Sequence, residues 1–356
     1  MREEKRVLVG LSGGVDSAVA AYLLKHQGYE VTGITMSIWD GSYAASGRNA
    51  CYGPGEAEEI RETEELARFL EIPYHVFPCA AEYKELVLSY FKSEYLAGRT
   101  PNPCVRCNEL IKFGLLPLLA ERSGLAYDYF ATGHYARIGY DAQRSRYMLK
   151  TGVDPKKDQS YFLYRLSQEQ LRKLILPLGE YTKEDVRQLA LGGGIPLAGK
   201  EESQDFYSGD FRELLEVTDS PGEIVLTSGR VVGTHRGFWN FTVGQRKGMG
   251  IAYSEPLYVV KLDAGHNRVI VGTRDEIRET SLTVTDLNWI SVTGLNVPME
   301  VQCKIRSAQA ARDARIEPCG GGKVMVTFVS PNDSIAPGQS AVFYDGDIVV
   351  GGGTIV

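Results

Sequence analysis

The sequence predicts an α/β protein: a doubly wound parallel sheet, then a small central β domain, then a C-terminal β-barrel. Three observations carry that reading. From residue 1 to about 207, short apolar runs alternate with helix-length stretches, the rhythm of β-α-β crossovers. From 208 the chain turns to short β-rich runs punctuated by Gly, Asp and Asn. From 279 it continues as close-spaced strands, closing on GQSAVFYDGDIVVGGGTIV, the pattern of a small barrel or sandwich. The expected divisions are therefore 1–207, 208–278 and 279–356.

Each element has its own warrant. RVLVGL, 6–11, is an apolar run short enough for a buried strand, and SAVAAYLLKHQG, 17–28, is the helix behind it. EVTGITM, 30–36, is a second strand. EAEEIRETEELARFLEI, 56–72, reads as a charged amphipathic helix before the strand YHVFP, 74–78. DYFATGHYARI, 128–138, reads as a strand leading into a loop. GEIVLTSGRVVGTHRGFWNFTVGQRKGMGI and LYVVKLDAGHNRVIVGT supply the central β texture. No internal repeat or low-complexity tract interrupts this order.

Composition bounds the function. A hydrophobic share of 43% with 24% charged residues is ordinary for a soluble globular chain. No apolar run approaches a membrane span, and MREEKRVLVGL lacks the apolar core of a signal peptide, so a cytoplasmic location is expected. A net charge of −6 argues against nucleic-acid binding by the whole surface, while leaving room for a local basic patch.

VLVGLSGGVDSAVAAYLL, 7–24, is the strongest motif. A buried strand ends in Ser12-Gly13-Gly14-Val15-Asp16-Ser17 and a helix begins at once. Two glycines permit a tight turn, and the turn's amides with the helix N-terminus then face an anion such as pyrophosphate. Ser12 and Ser17 add hydroxyl donors, and Asp16 is suited to hold Mg²⁺ or the loop itself. The blander reading is a capped strand-to-helix turn. No GxxxxGK[ST] occurs, which excludes a Walker-type loop. SGGxDS directly after a buried strand resembles the PP-loop of the ATP pyrophosphatases, whose members adenylate a substrate oxygen and release pyrophosphate.

With that motif in place, the chain resembles the tRNA-specific 2-thiouridylases along nearly its whole length. The stretches that carry the resemblance are GLSGGVDSAVAAYLL at 10–24, GRTPNPCVRCNELIKFG at 98–114 and ATGHYARI at 131–138. DPKKDQSYFLYRLSQEQL at 154–171, TVGQRKGMGI at 242–251 and PGQSAVFY at 337–344 complete it. The resemblance implies ATP-dependent replacement of the C2 oxygen of a wobble uridine by sulfur, through an adenylated intermediate. It implies tRNA as substrate, a sulfurtransferase or sulfide as sulfur donor, and a nucleotide site of Gly10, Leu11, Ser12, Gly13, Gly14, Val15, Asp16, Ser17, Met36 and Gly133. Cys107 falls where the family keeps its nucleophile, and Asn102, Pro103 and Cys104 where it contacts the target base. His134, Lys157, Asp158, Gln159, Arg306, Ser307 and Gln339 fall at its tRNA-contacting positions. Alone, Met36 reads as core and His134 as structural. Phosphate contacts by Arg and Lys would make RNA affinity salt-sensitive.

One departure bears on the chemistry. Most members carry a second cysteine about a hundred residues after the nucleophile, thought to hold a persulfide. Here the matching block is EESQDFYSGDF, with Tyr207 in that place, and a phenol cannot carry sulfane sulfur. Cys104 stands where Asp is usual, which creates a CxxC with Cys107. Three readings follow. Cys104 takes over the persulfide and closes a disulfide with Cys107; or Cys104, Cys107 and a third thiolate hold a four-iron four-sulfur cluster with one open iron; or Cys104 is a neutral substitution. Cys51, in the loop after the second strand, is the expected third ligand, because Cys79, Cys303 and Cys319 look like strand or turn residues. Zinc would need a fourth ligand that the pattern lacks. Another PP-loop ligase, or an iron–sulfur tRNA desulfurase or sensor, is the alternative class of function.

Overall fold

The computed structural model describes residues 5–42, 50–196, 205–207 and 209–356. The stretch 201–204 of the block matched to the second family cysteine lies outside the described residues. The chain divides into two compact units. The first comprises Met1–Val87, Pro103–Phe211 and Asp347–Val349; the second comprises Leu88–Asn102, Arg212–Gly346 and Val350–Val356. The division is not linear in sequence, since residues 88–102 group with the later part of the chain.

The first unit is α/β. Its strands are β1 (Arg6–Gly10), β2 (Glu30–Ser37), β3 (Ala50–Tyr52), β4 (Tyr74–Pro78), β5 (Tyr129–Thr132), β6 (Ala136–Asp141), β7 (Arg146–Thr151), β8 (Leu174–Ile175) and β9 (Asp205–Tyr207). Five of them form a parallel sheet in the order β4-β2-β1-β5-β8. Val7, Leu8 and Val9 of β1 are all buried. That continuous apolar run is what a central parallel strand covered on both faces requires. Helix α1 (Val15–His26) packs Ala18, Val19, Ala20, Ala21 and Leu24 into the same core. Helix α2 (Glu56–Phe69) buries Thr63, Leu66 and Ala67 and leaves Glu58, Glu64 and Glu65 exposed.

One local expectation is refined. The stretch read as one strand and a loop at 128–138 is two strands, β5 and β6, broken at Gly133–Tyr135; β6 pairs antiparallel with β7. The segment that carries Cys104 and Cys107 is a short helix, Pro103–Cys107, followed by a π-helix, Asn108–Leu115, and an α-helix, Leu116–Arg122.

The second unit is β-rich. Strands β10 (Gly222–Leu226), β11 (Val231–His235), β12 (Tyr258–Asp263) and β13 (Arg268–Gly272) form a sheet ordered β11-β10-β13-β12 over Ile224, Phe238, Val259, Val269 and Val271. Strands β14 (Arg278–Trp289), β15 (Met299–Lys304), β16 (Arg312–Gly320), β17 (Lys323–Asp333), β18 (Ser340–Asp345) and β19 (Ile348–Ile355) run in the order β14-β17-β16-β15-β18-β19. Pairing of β14 with β19, from Val284↔Ile355 to Trp289↔Gly351, closes them into a six-stranded barrel. Val284, Ile316, Val326 and Phe343 fill it. The fold class is thus the expected one: a parallel α/β sheet, a small β sheet and a C-terminal barrel. Among the described residues no helix is long and apolar enough to cross a membrane.

Candidate active site

The turn after β1 is built to receive an anion. Gly13 adopts φ +69°, which a side chain would disfavour. Gly14 caps α1 without a side-chain hydrogen bond, so the amides of the first helical turn remain available. Ser17 ties the loop together: its Oγ accepts from Ser12 N (3.1 Å), lies 3.3 Å from Ser12 Oγ and donates to Gly14 O (3.1 Å). Opposite, Gly133 approaches so closely that a Cβ there would sit 2.6 Å from Asp16 C and 2.7 Å from Ser17 N. Gly10 through Ser17, Met36 and Gly133, the ten residues expected at the nucleotide, all line one cavity of about 330 Å³. That size suits a small-molecule ligand.

Asp16 is held by residues that sequence reasoning missed. Its Oδ1 accepts from Tyr135 OH (2.8 Å) and from Lys183 Nζ (2.7 Å). Lys183 is only 8% exposed and begins the helix Lys183–Gly192, where the helix dipole disfavours a cation. A buried lysine at a helix N-terminus needs an anionic partner, and that was the available signal. The capping box of Thr182 and Asp185 fixes the helix start, and Asp154 Oδ2 accepts from Lys183 N (3.0 Å).

The cysteines converge on the same unit. Cys104 is exposed and Cys107 half-buried, both on the helix Pro103–Cys107. Burial pushes the Cys107 thiol up to about 12; the Lys112 ammonium opposes that, and Cys104 and Cys51 add to it. Strand β3 brings Cys51 in by pairing parallel with β9, Ala50 opposite Asp205 and Tyr52 opposite Tyr207. Cys51 itself is exposed at the surface, yet the packing around it raises its thiol as well. The Tyr83 phenol is held far above its ordinary value by burial first and then by Cys107, Cys51 and Cys104, so all three thiols lie within electrostatic reach of one ring. Tyr52 stacks on Tyr83 at 5.5 Å. Tyr207 is buried near Tyr52 (6.4 Å) and Phe211 (6.1 Å), an aromatic filling rather than a sulfur carrier. Among the described residues, no three His, Cys, Asp or Glu side chains are placed to chelate a single metal ion. Cys79 is buried just after β4, Cys303 is buried in β15 and Cys319 is exposed in β16.

The residues matched to RNA contact fall in varied settings. His134 lines the nucleotide cavity with its Nδ1 2.8 Å from Thr132 Oγ1. Burial, with Lys112 nearby, holds its pKa well below the ordinary value, so it is neutral at physiological pH. Asp158 braces its own loop, accepting from Gly152 N, Ser160 N and Ser160 Oγ. Gln159 faces the cavity, and its Oε1 accepts from Tyr135 N (2.9 Å). Lys157 is half-buried in the turn begun by Asp154. Pro103 and Asn102 are half-buried, with Asn102 falling in the second unit. Also in the second unit, Gln339 Nε2 donates to Thr100 O (3.0 Å) and Pro101 O (3.1 Å), so it steadies the segment that carries Asn102. Arg306 Nη2 donates to Val243 O (2.8 Å) and Ser334 O (3.3 Å), and Ser307 beside it is exposed.

Three family models match in succession. Residues 5–207 match the model described as a tRNA methyl transferase HUP domain, 214–273 a tRNA methyl transferase PRC-barrel domain, and 279–355 an aminomethyltransferase beta-barrel domain. Among curated relatives, the tRNA-specific 2-thiouridylase MnmA of Endomicrobium trichonymphae is 49% identical over 361 residues, covering 100% of both chains. MnmA 1 of Caldanaerobacter subterraneus subsp. tengcongensis is 45% identical over 365 residues, covering 100% of this chain and 99% of its own. The tRNA-specific 2-thiouridylase MnmA of Acetivibrio thermocellus is 45% identical over 361 residues, covering 99% of each.

Proposed function

Since the chain belongs to the tRNA-specific 2-thiouridylase family, we propose that it replaces the C2 oxygen of a tRNA wobble uridine by sulfur, at the expense of ATP. The observation that carries this is the placement, on one unit, of a phosphate cradle at residues 12–17 in a cavity that Cys51 and Lys112 also line, with Cys107 within electrostatic reach of Lys112, Cys104 and Cys51. In the first step the C2 oxygen attacks the α-phosphorus, the α–β anhydride bond breaks and pyrophosphate leaves. In the second, sulfur attacks C2, the C–O bond breaks and AMP departs with the former carbonyl oxygen. A carbonyl oxygen is a poor leaving group and a phosphate monoester a good one, which is why the adenylate comes first. The loop amides neutralise the departing pyrophosphate.

Asp16 would share in holding Mg²⁺, since its Oδ1 is taken by Tyr135 and Lys183 and no hydrogen bond among the described residues engages Oδ2. For the sulfur carrier we read Cys51, Cys104 and Cys107 as the ligands of a four-iron cluster. What supports that reading is that all three thiols act electrostatically on Tyr83, and thiolates are the donors such a cluster needs. Bound there, such a cluster would supply Lewis-acid binding for hydrosulfide. The protein's own groups do the rest: they bind and orient the nucleotide, and keep the adenylate from water. Lys157, Ser307, Asn102 and His134 are the positions from which tRNA contact is expected, in a cytoplasmic enzyme of three functional parts, 1–207, 208–278 and 279–356.

Protein purified without oxygen tests the reading. With ATP, sulfide and unmodified tRNA it should yield 2-thiouridine and tRNA-dependent pyrophosphate. Cys51→Ser, Cys104→Ser and Cys107→Ser should each lose iron and thiolation while still releasing pyrophosphate. An iron-free protein that fails with sulfide but is fully active with a persulfide-bearing sulfurtransferase, Cys51→Ser included, would replace the cluster by a persulfide taken up on Cys104, whose transfer of the outer sulfur to C2 leaves a Cys104–Cys107 disulfide.

A further inference from the structure

Lys112 lines the nucleotide cavity and is unexplained by anything above. Among the described residues it is the one lysine or arginine on that lining, whereas Asp16, Glu56 and Glu59 are acids. Glu56 is committed to the end of β2, accepting from Ser37 Oγ (2.6 Å), Ile38 N (2.6 Å) and Trp39 N (3.0 Å). No hydrogen bond or salt bridge among the described residues occupies the Lys112 ammonium, although the residue is half-buried. A partly buried cation facing a cavity without an anionic partner is costly unless a ligand supplies one.

Its position follows from the backbone. Residues 108–115 form a π-helix, wound with i→i+5 hydrogen bonds rather than i→i+4. That wider turn carries Lys112 to the same face as Cys107, where a 3.6-residue turn would hold them apart. Its charge accordingly acts on Cys107, on Cys51 and on His134. Lys112 therefore stands where the thiol group meets the nucleotide cavity, while the cradle at Ser12–Ser17 takes the other part of it. The α-phosphate is the one phosphate that stays with the uridine, so it must face the sulfur. The β- and γ-phosphates leave through the cradle.

We propose that Lys112 is a catalytic residue of both half-reactions, its ammonium contacting the α-phosphate of the adenylate. This rests on the reading of the cavity as the nucleotide site. When the C2 oxygen attacks the α-phosphorus and pyrophosphate leaves, Lys112 offsets charge on the non-bridging oxygens. When sulfur attacks C2 and the C–O bond breaks, it offsets the charge that AMP carries away. It keeps its proton throughout; the proton of the attacking hydrosulfide leaves to solvent or to the released phosphates, and no electron is transferred.

The test compares wild type, Lys112→Gln and Lys112→Arg in single-turnover pyrophosphate release with saturating tRNA. Loss of one preorganised donor to a developing charge costs about 10²–10³ in rate. Lys112→Gln should fall by about a hundredfold, with the KM for ATP changed less than about fivefold. Lys112→Arg should recover much of the rate. A Lys112→Gln rate within threefold of wild type would overturn the proposal. Reductive methylation of wild-type lysines, read by mass spectrometry with and without a non-hydrolysable ATP analogue, needs no variant to fold. Protection of Lys112 supports the contact, and equal labelling overturns it. A wild type with no tRNA-dependent pyrophosphate release would instead overturn the thiouridylase reading, and the footprint would still decide for or against Lys112.

Discussion

Asp16 receives hydrogen bonds from two donors drawn from distant parts of the chain, Tyr135 and Lys183, the latter 167 positions away. Its presence in the loop motif was legible, because a phosphate turn needs its chemistry in consecutive residues. Its partners were not, because they are set by which strand and helix end tertiary folding brings alongside. The same holds for Arg306, whose guanidinium reads as a phosphate contact in sequence yet donates to two backbone carbonyls. Cys79 shows a residue-scale effect on stability. It is fully buried, and burial pushes its thiol up to about 12 from 9.0. A pKa raised in the folded state contributes stability below the unfolded value and loses it as pH climbs toward the folded one. Between pH 8 and pH 10 the wild type should therefore lose on the order of 1 kcal/mol more than Cys79→Ala. Denaturant midpoints at the two pH values measure this, and parallel losses would show that Cys79 is not shielded as described.

At the scale of elements, the proposed nucleotide site depends on how closely β5 runs past the start of α1. Gly133 makes that approach possible, and any Cβ there meets backbone, which cannot swing aside. Gly133→Ala should cost about 1–3 kcal/mol of stability by overpacking. Because the displaced atoms belong to Asp16 and Ser17, it should also lower tRNA-dependent pyrophosphate release more than tenfold, with tRNA affinity changed only a few-fold. Normal release would mean that the loop tolerates displacement and is not the phosphate cradle. Strand placement was readable here from apolar runs, and the helices from their periodicity. The π-helical stretch at 108–115 was not, because its apolar pattern is equally compatible with an α-helix until packing selects the winding. Cys51 came within range of the other thiols through a three-residue strand pairing with β9, too short for periodicity to reveal.

For the molecule as a whole, the α/β class followed from the alternation of runs, and a small barrel or sandwich from the dense C-terminal strands, since both arise from local patterning; closure through β14 and β19 is a long-range pairing that such patterning does not reveal. The grouping of residues 88–102 with the later chain did not follow, because it reflects packing between segments far apart in sequence. Within that second unit, Gln339 steadies Thr100 and Pro101, so the C-terminal PGQ block serves the segment leading to Asn102. The central claim for the molecule is that the wobble uridine's own C2 oxygen becomes the adenylate and leaves with AMP. Unmodified tRNA carrying ¹⁸O at that oxygen, thiolated to completion in ordinary water, tests it most directly. Mass spectrometry of the AMP should find one ¹⁸O for each 2-thiouridine formed. AMP free of ¹⁸O, alongside fully thiolated tRNA, would contradict the account.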